Sequence, residues 1–306
     1  MTAVPASYQV PLDPVARIAA LMTGFSIEAT RPSAADIAAL AVLGRGARIY
    51  LSAVPDRPAN ESVDNAIRLR AAGFEPVPHV AVRNFASVQA LDDFLARLNG
   101  EAAVDSVLVI AGDRSECGPY RRALDVIDSG LLPRRGMRII GIAGYPQGHP
   151  RIGDDELQRA LVDKIVAAEA TGLTVEIVTQ FCFEARAILD FITRLRAFGF
   201  DHRLRIGLVG PTSFTALMRY AGRCGVRASA QFLAQRAGLM RQMFAMATPD
   251  DLIRPLAEAA PASIGLHFFS FGGVPATSRW LRAVADGRIA LDAKGGFHIE
   301  TPANAS

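Results

Sequence analysis

Cysteine is scarce: Cys117, Cys182 and Cys224 are the three in 306 residues, and no two of them form a CxxC pair. Neither a zinc knuckle nor a disulfide framework is expected from such spacing, and a reducing cytoplasm is the compartment it implies. Long apolar runs are missing too. No window approaches the ~20 uninterrupted apolar residues of a membrane span, and Met1 to Leu12 lacks a basic patch followed by an apolar core, so neither membrane insertion nor export is expected. Basic runs are absent as well. Lys plus Arg number 33 against 30 Asp plus Glu, and the resulting +3 is scattered, which gives no electrostatic ground for binding nucleic acid. The histidines and carboxylates fall at no metal-ligand spacing such as HExxH, so no metal is expected. Ser26 and Ser213 lie in no GxSxG elbow, which argues against a serine hydrolase. No repeat of fixed period is present.

What is there is the composition of a folded enzyme, 50% hydrophobic and 21% charged, and a length that accommodates one α/β barrel of about 250 residues. The stretch Gly24-Phe25-Ser26-Ile27-Glu28 reads as a short apolar strand ending on a carboxylate. A helix from Asp13 to Met22 precedes it, and Ser33 with Asp36 signals the start of another. Strand signals recur at Ala47 to Val54, Phe74 to Val82, Ser106 to Ile110, Met137 to Ala143, Thr174 to Gln180, Leu204 to Leu208 and Ser263 to Phe269. Nearly all are followed by helical patterns: Asn60 to Ala72, Val88 to Leu98 stopped by Asn99-Gly100, Asp154 to Thr171, and Ile188 to Leu195. The region between Phe214 and Ala260 is helical and longer than one crossover needs. Pro76 and Pro78 predict that the third strand is irregular. Eight strands alternating with helices are the pattern of a (β/α)8 TIM barrel, here one domain over residues 1–300 with a frayed tail from Thr301 to Ser306. A doubly wound open sheet fits less well, because no GxGxxG turn follows the first strand and because polar residues end nearly every strand.

In a barrel those strand ends share one rim, which collects Glu28, Ser52, His79, Asp113, Tyr145, His149, Gln180 and His267. Each has an ordinary explanation. Glu28 suits an acid or base, but a Glu there could also cap the next helix or pair with Arg31. Asp113 follows Gly112 in what could be a simple Asx turn. His79 could be a core histidine bonded to backbone, and His149 a residue of a loop without function. Gln180 is harder to explain structurally, since a buried primary amide gains nothing unless something hydrogen-bonds it. With Phe181 and Phe183 nearby, the set suits a flat, nitrogen-rich organic substrate.

The order of these motifs resembles the methylenetetrahydrofolate reductase family, at the level of a divergent member. Phe25-Ser26-Ile27-Glu28 is similar to the family's S-F-E, Val77-Pro78-His79-Val80 to A-P-H-L, and Ala111-Gly112-Asp113 to R-G-D. Gly144-Tyr145-Pro146-Gln147-Gly148-His149-Pro150 resembles A-Y-P-E-x-H-P, Val178-Thr179-Gln180-Phe181-Cys182-Phe183-Glu184 resembles I-T-Q-F-F-F-D, and Leu266-His267-Phe268-Phe269 resembles F-H-F-Y. The resemblance implies an FAD-containing barrel of one-carbon metabolism, on the route to methionine biosynthesis. It would interconvert 5,10-methylenetetrahydrofolate and 5-methyltetrahydrofolate with electrons from NAD(P)H. On that basis Glu28 is the general acid that protonates N10, and Asp113 stabilises the cation that forms. Gln180, Phe181 and Phe183 hold the folate, while Ser52, His79, Gly112, Tyr145 and His149 line the FAD. Homo-oligomerisation also follows only from the resemblance.

The chain departs from the family pattern around the flavin phosphates. Ala111 and Gly273 stand where the family has Arg, and its Lys before the sixth strand falls near Ala168, with Lys164 one turn upstream. Val54-Pro55-Asp56-Arg57-Pro58 replaces a glycine-rich loop. Arg57, Arg114 and Lys164 are the candidates to compensate. Besides a flavin-dependent oxidoreductase, two alternatives stay open: direct hydride transfer from NAD(P)H to folate without flavin, and a non-catalytic folate- or flavin-binding relative.

Overall fold

A computed structural model describes residues 13–300 apart from 56, 115–117, 214, 218, 221–245, 260 and 262. Eight strands pair only in parallel: β1 (Ser26–Ala29), β2 (Arg48–Leu51), β3 (Glu75–Ala81), β4 (Ser106–Ile110), β5 (Ile139–Gly144), β6 (Thr174–Thr179), β7 (Arg203–Val209) and β8 (Ile264–Phe269). They close in the order β1-β8-β7-β6-β5-β4-β3-β2, the (β/α)8 barrel that the alternation of patterns predicts. Side chains alternate across the wall. Ile27, Ile49, Val109, Ile142, Ile177 and Phe268 point outward into the main core beneath the helices. Tyr50, Val77, Leu108 and Val178 point inward and form a second, smaller core that fills the barrel. It is therefore a packed barrel and not a pore.

The surrounding helices are α1 (Pro14–Leu21), α2 (Ala34–Leu40), α3 (Ala59–Ala71), α4 (Val88–Ala102), α5 (Ala123–Asp128), α6 (Leu131–Arg134), α7 (Asp154–Ala170), α8 (Ala185–Ala197), α9 (Asp250–Ala259) and α10 (Val274–Ala285). The Ser33 signal at α2 is a full capping box: the Asp36 amide donates to Ser33 Oγ at 3.1 Å, and the Ser33 amide donates to Asp36 Oδ2 at 2.9 Å. The expected stop of α4 at Asn99-Gly100 is wrong by one turn. The helix continues to Ala102, which is buried, and ends at Ala103 in the left-handed region, φ 47°. Asn99 remains helical because its side-chain amide donates to Val104 O at 3.0 Å and ties down the exit of the chain.

Strand β3 is less disturbed by its prolines than expected. Glu75 N donates to Ala47 O, so by alternation Pro76 and Pro78 both lack donors on the β4 side. The pairing with β4 begins only at His79, beyond both, while pairing with β2 runs from Glu75 to Pro78. Short α5 and α6 carried too few turns to show a period. Helix α10 and the hairpin Ile289–Leu291 with Phe297–Ile299 follow the last strand signal and were not anticipated. Of the helical region expected between Phe214 and Ala260, α9 is present as a helix, and residues 221–245 lie outside the described residues, as do the tail from Thr301 to Ser306, Cys117 and Cys224.

Gly207 marks a close approach inside β7. A Cβ there would lie 2.4 Å from Thr179 O and 2.9 Å from Gln180 O, because the chain leaving β6 folds tightly over the rim. Gly207→Ala is expected to lose at least ~1–3 kcal/mol from this overpacking. Gly100→Ala, in the last turn of α4 with open space around it, is expected to gain up to ~0.5–1 kcal/mol. Urea denaturation of the two variants checks both signs.

Candidate active site at the C-terminal rim

The ends of β1, β2, β3 and β8 converge on one carboxylate. Glu28 stands in register with Tyr50 of β2 and Phe269 of β8 and points into the mouth of the barrel. Ser52 Oγ donates to Glu28 Oε1 at 2.5 Å. His267 Nε2 lies 3.3 Å from Glu28 Oε2, and its other ring nitrogen, Nδ1, is 3.0 Å from Ser26 Oγ. A neutral imidazole satisfies both contacts if Ser26 donates to Nδ1 and Nε2–H donates to the carboxylate. His79 Nε2 sits 3.6 Å from the same Oε2, too far for a hydrogen bond, and is buried without a partner. The edge of Tyr50 packs on His267 with ring centroids 4.6 Å apart, which fixes the imidazole from below.

This environment sets the charges. Burial by itself pushes the Glu28 pKa up. The charge of His79, the hydrogen bond and charge of His267 and the Ser52 hydroxyl together outweigh burial and hold it below the usual carboxylate range. Burial likewise pushes His79 and His267 down, against the pull of Glu28. The three groups are best treated as one unit whose protons are shared.

The remaining predicted residues divide between other places on the rim. Asp113 is exposed after β4, where Gly112 turns the chain at φ 87° and a Cβ would come within 3.0 Å of Ala81 Cβ. Its charge falls on Tyr145, whose pKa is raised by burial and then by Asp113. Tyr145 and His149 pack edge to face, 5.4 Å between centroids. The Gln180 amide oxygen accepts from Phe181 N at 3.0 Å, leaving its NH2 group without a hydrogen bond among the described residues. Phe181 and Phe183 are buried, in a cluster with partly exposed Phe269 and Phe271. No hydrogen bond or ion pair among the described residues links Asp113 or Gln180 to Glu28. Among the described residues there is also no group of three His, Cys, Asp or Glu side chains placed to hold a metal, and no helix long and apolar enough to cross a membrane.

Beside Glu28 a cleft open to solvent lies over the ends of β2 and β3, lined by Ser52, His79, Asn84 and Phe85, with Arg31 and Arg57 among its cations. Asn84 Oδ1 and His79 Nε2 are buried there with no partner. Two unpaired polar atoms and two cations sharing a single carboxylate, Glu61 at 3.4 Å from Arg31 and 3.6 Å from Arg57, fit a ligand with a polar ring and an anionic tail. Of the cations considered as compensating, Arg57 lines this cleft, whereas Arg114 and Lys164 do not; Lys164 on α7 is lowered to about 8 by desolvation. Thr30, Asn84 and Phe271 were missed because isolated residues in loops carry no periodicity, and Tyr50 because it reads as one more apolar strand residue.

The model of the methylenetetrahydrofolate reductase family matches residues 66–267. This chain belongs to that family. Among curated relatives, a 5,10-methylenetetrahydrofolate reductase of Pectobacterium carotovorum subsp. carotovorum is 25% identical over 174 residues, 56% of this chain and 55% of that protein. The chain thus spans about half the length of the curated relative it matches. The family match includes His79, Gly112, Asp113, Tyr145, His149, Gln180 and His267, and begins after Glu28 and Ser52. Glu28 is tied to the matched region by its contacts with His79 and His267, and Ser52 through its hydrogen bond to Glu28.

All three shifts in the Glu28 unit have one sign, so the unfolded chain binds more protons than the fold as pH falls. The histidines' share of stability is present above ~6.5 and lost as pH falls from there through their folded values, and the share of Glu28 is lost below ~4.5. The urea midpoint is expected to fall between pH 7.5 and 5, and His79→Gln to flatten that slope; a midpoint independent of pH in the wild type would contradict this charge assignment.

Proposed function

We propose that the protein is a methylenetetrahydrofolate reductase-like oxidoreductase, interconverting 5,10-methylenetetrahydrofolate and 5-methyltetrahydrofolate with electrons from NAD(P)H. The single observation that carries the reading is a largely buried carboxylate, Glu28, surrounded by two histidines and a hydroxyl at the C-terminal rim of a barrel of this family. Reduction of the folate needs its imidazolidine ring opened to a 5-iminium cation, and ring opening needs a proton on N10. Glu28 supplies that proton. An ionised Glu28 must first take it up from solvent, because burial holds His79 and His267 below the usual imidazole range and leaves them neutral near pH 7. A flat substrate laid over the carboxylate strips its remaining water and raises its proton affinity at the moment it is needed.

Asp113 then stabilises the iminium charge, its exposure leaving it available to a ligand. Gln180 offers its free NH2 group to the pterin, and the aromatic cluster of Phe181 and Phe183, through Phe269 and Phe271, provides an apolar wall for it. The cleft beside Glu28 suits FAD: His79, Ser52 and the unpaired Asn84 would meet the ring system, and Arg31 and Arg57 the phosphates. Gly112, Tyr145 and His149 belong to the same cofactor face on the family resemblance. When bound, the flavin would carry hydride between NAD(P)H and the folate.

Two experiments test this. Glu28→Gln is expected to fold and bind folate yet lose turnover by at least ~10²-fold, as for removal of a general acid; near-normal kcat would reject the role. The visible spectrum of the purified protein is expected to show flavin in near-stoichiometric amounts. A colourless protein that still oxidises NAD(P)H with methylenetetrahydrofolate would instead support direct hydride transfer, the reading favoured by the loss of Arg at Ala111.

A further inference from the structure

The opposite, N-terminal mouth of the barrel is built from arginine. A concavity of about 510 Å³ there is lined by Arg45, Arg48, Arg203, Arg205 and Arg282, and no acidic side chain lines it. Its floor is not a solvated surface. Arg205 is buried in the barrel interior and Arg48 partly buried, and both bind Glu176, the one carboxylate paired with either among the described residues. Arg48 Nη1 donates to Glu176 Oε1 at 3.0 Å, and Arg205 Nε donates to Oε2 at 2.8 Å. Both carboxylate oxygens are therefore taken, and Arg203 reaches Oε1 only at 4.0 Å. At the rim Arg282 pairs with Asp286, while Arg45 has no carboxylate partner among the described residues. Three guanidinium groups thus share one carboxylate in and above the barrel wall.

The floor sets two guanidinium groups on one carboxylate, and positive charge withdrawn from water in this way is costly unless an anion offsets it; Arg45 and Arg203 above it are exposed and reachable by a ligand. In water, scattered exposed arginines need no such partner; in a concave wall of low dielectric the field is focused outward, and the anion that would satisfy it is drawn in. The guanidinium fork matches phosphate oxygens two at a time, and a ring of several such forks suits a multiply charged group better than a single carboxylate. We propose that this mouth binds a phosphate-bearing small molecule, held by Arg203 and Arg45 above the Arg48–Glu176–Arg205 floor. The site lies across the barrel from Glu28 and does not depend on the catalytic reading. It is nonetheless coupled to it: Tyr50, packed on His267, also feels the charges of Arg205 and Arg48, and the His267 pKa is pushed down by burial and further by those arginines against the pull of Glu28. A bound phosphate would relax that last push.

Isothermal titration with pyrophosphate at fixed ionic strength tests the proposal on the wild type, on Arg45→Ala/Arg203→Ala, and on Arg31→Ala/Arg57→Ala, which alters the rim cleft instead. Saturable binding is expected in the wild type and in the rim variant, and at least ~10-fold weaker binding in the Arg45/Arg203 variant, whose melting temperature in chloride stays unchanged. Equal affinity in the Arg45/Arg203 variant, loss of binding in the rim variant, or heats reproduced by acetate at the same ionic strength would each overturn it.

Discussion

Glu28 remains ionised inside a protein wall because side chains from three other strand ends meet its two oxygens: Ser52 on one, His267 and His79 on the other. A carboxylate taken out of water without such partners would neutralise. The arrangement therefore constrains far more than itself. It fixes the register of β1 against β2 and β8, it requires Ser26 beneath His267 to set the tautomer, and it requires Tyr50 to pack against that imidazole.

Viewed along its axis, the barrel is a stack of layers with different chemistry. The rim holds the proton-sharing unit of Glu28, His79 and His267. The middle is apolar, with Tyr50, Val77, Leu108 and Val178 filling the space between strands. The floor is ionic, Arg48 and Arg205 on Glu176. The apolar middle keeps water from connecting the two polar layers, so their charges interact across a medium of low dielectric. That is why arginines at the start of β2 and β7 still depress a histidine near the end of β8. The Tyr50 hydroxyl is buried in this layer without a hydrogen-bond partner among the described residues, and burial suppresses its acidity against the opposing pull of the arginines.

Much of this was legible in the sequence, for reasons that are local. Apolar runs of four to seven residues punctuated by Gly and Pro locate the strands. Carboxylate, amide and imidazole side chains at their ends locate the rim, because a buried strand has no structural use for them. The Ser33-Asp36 box was readable because capping is a contact between near neighbours. Other features depend on residues far apart in the chain. Nothing around Asn99-Gly100 reveals that Val104 will hold the helix open for another turn, and no short-range pattern shows that Arg48, Glu176 and Arg205 meet inside the barrel. Grouping was the least legible property: Glu28, Ser52, His79 and His267 meet, whereas Tyr145 with His149 forms a separate pair and Gln180 turns back on its own backbone. Sequence order assigns residues to a rim; packing decides which of them face one another.

The central claim is that Glu28 holds the proton used in ring opening when substrate is bound. Infrared difference spectroscopy near neutral pH, recorded on adding a non-reactive folate analogue, reads it directly. A protonated-carboxyl band should appear on binding in the wild type and be missing from Glu28→Gln. Absence of the band in the wild type, or its persistence in the variant, would contradict the account.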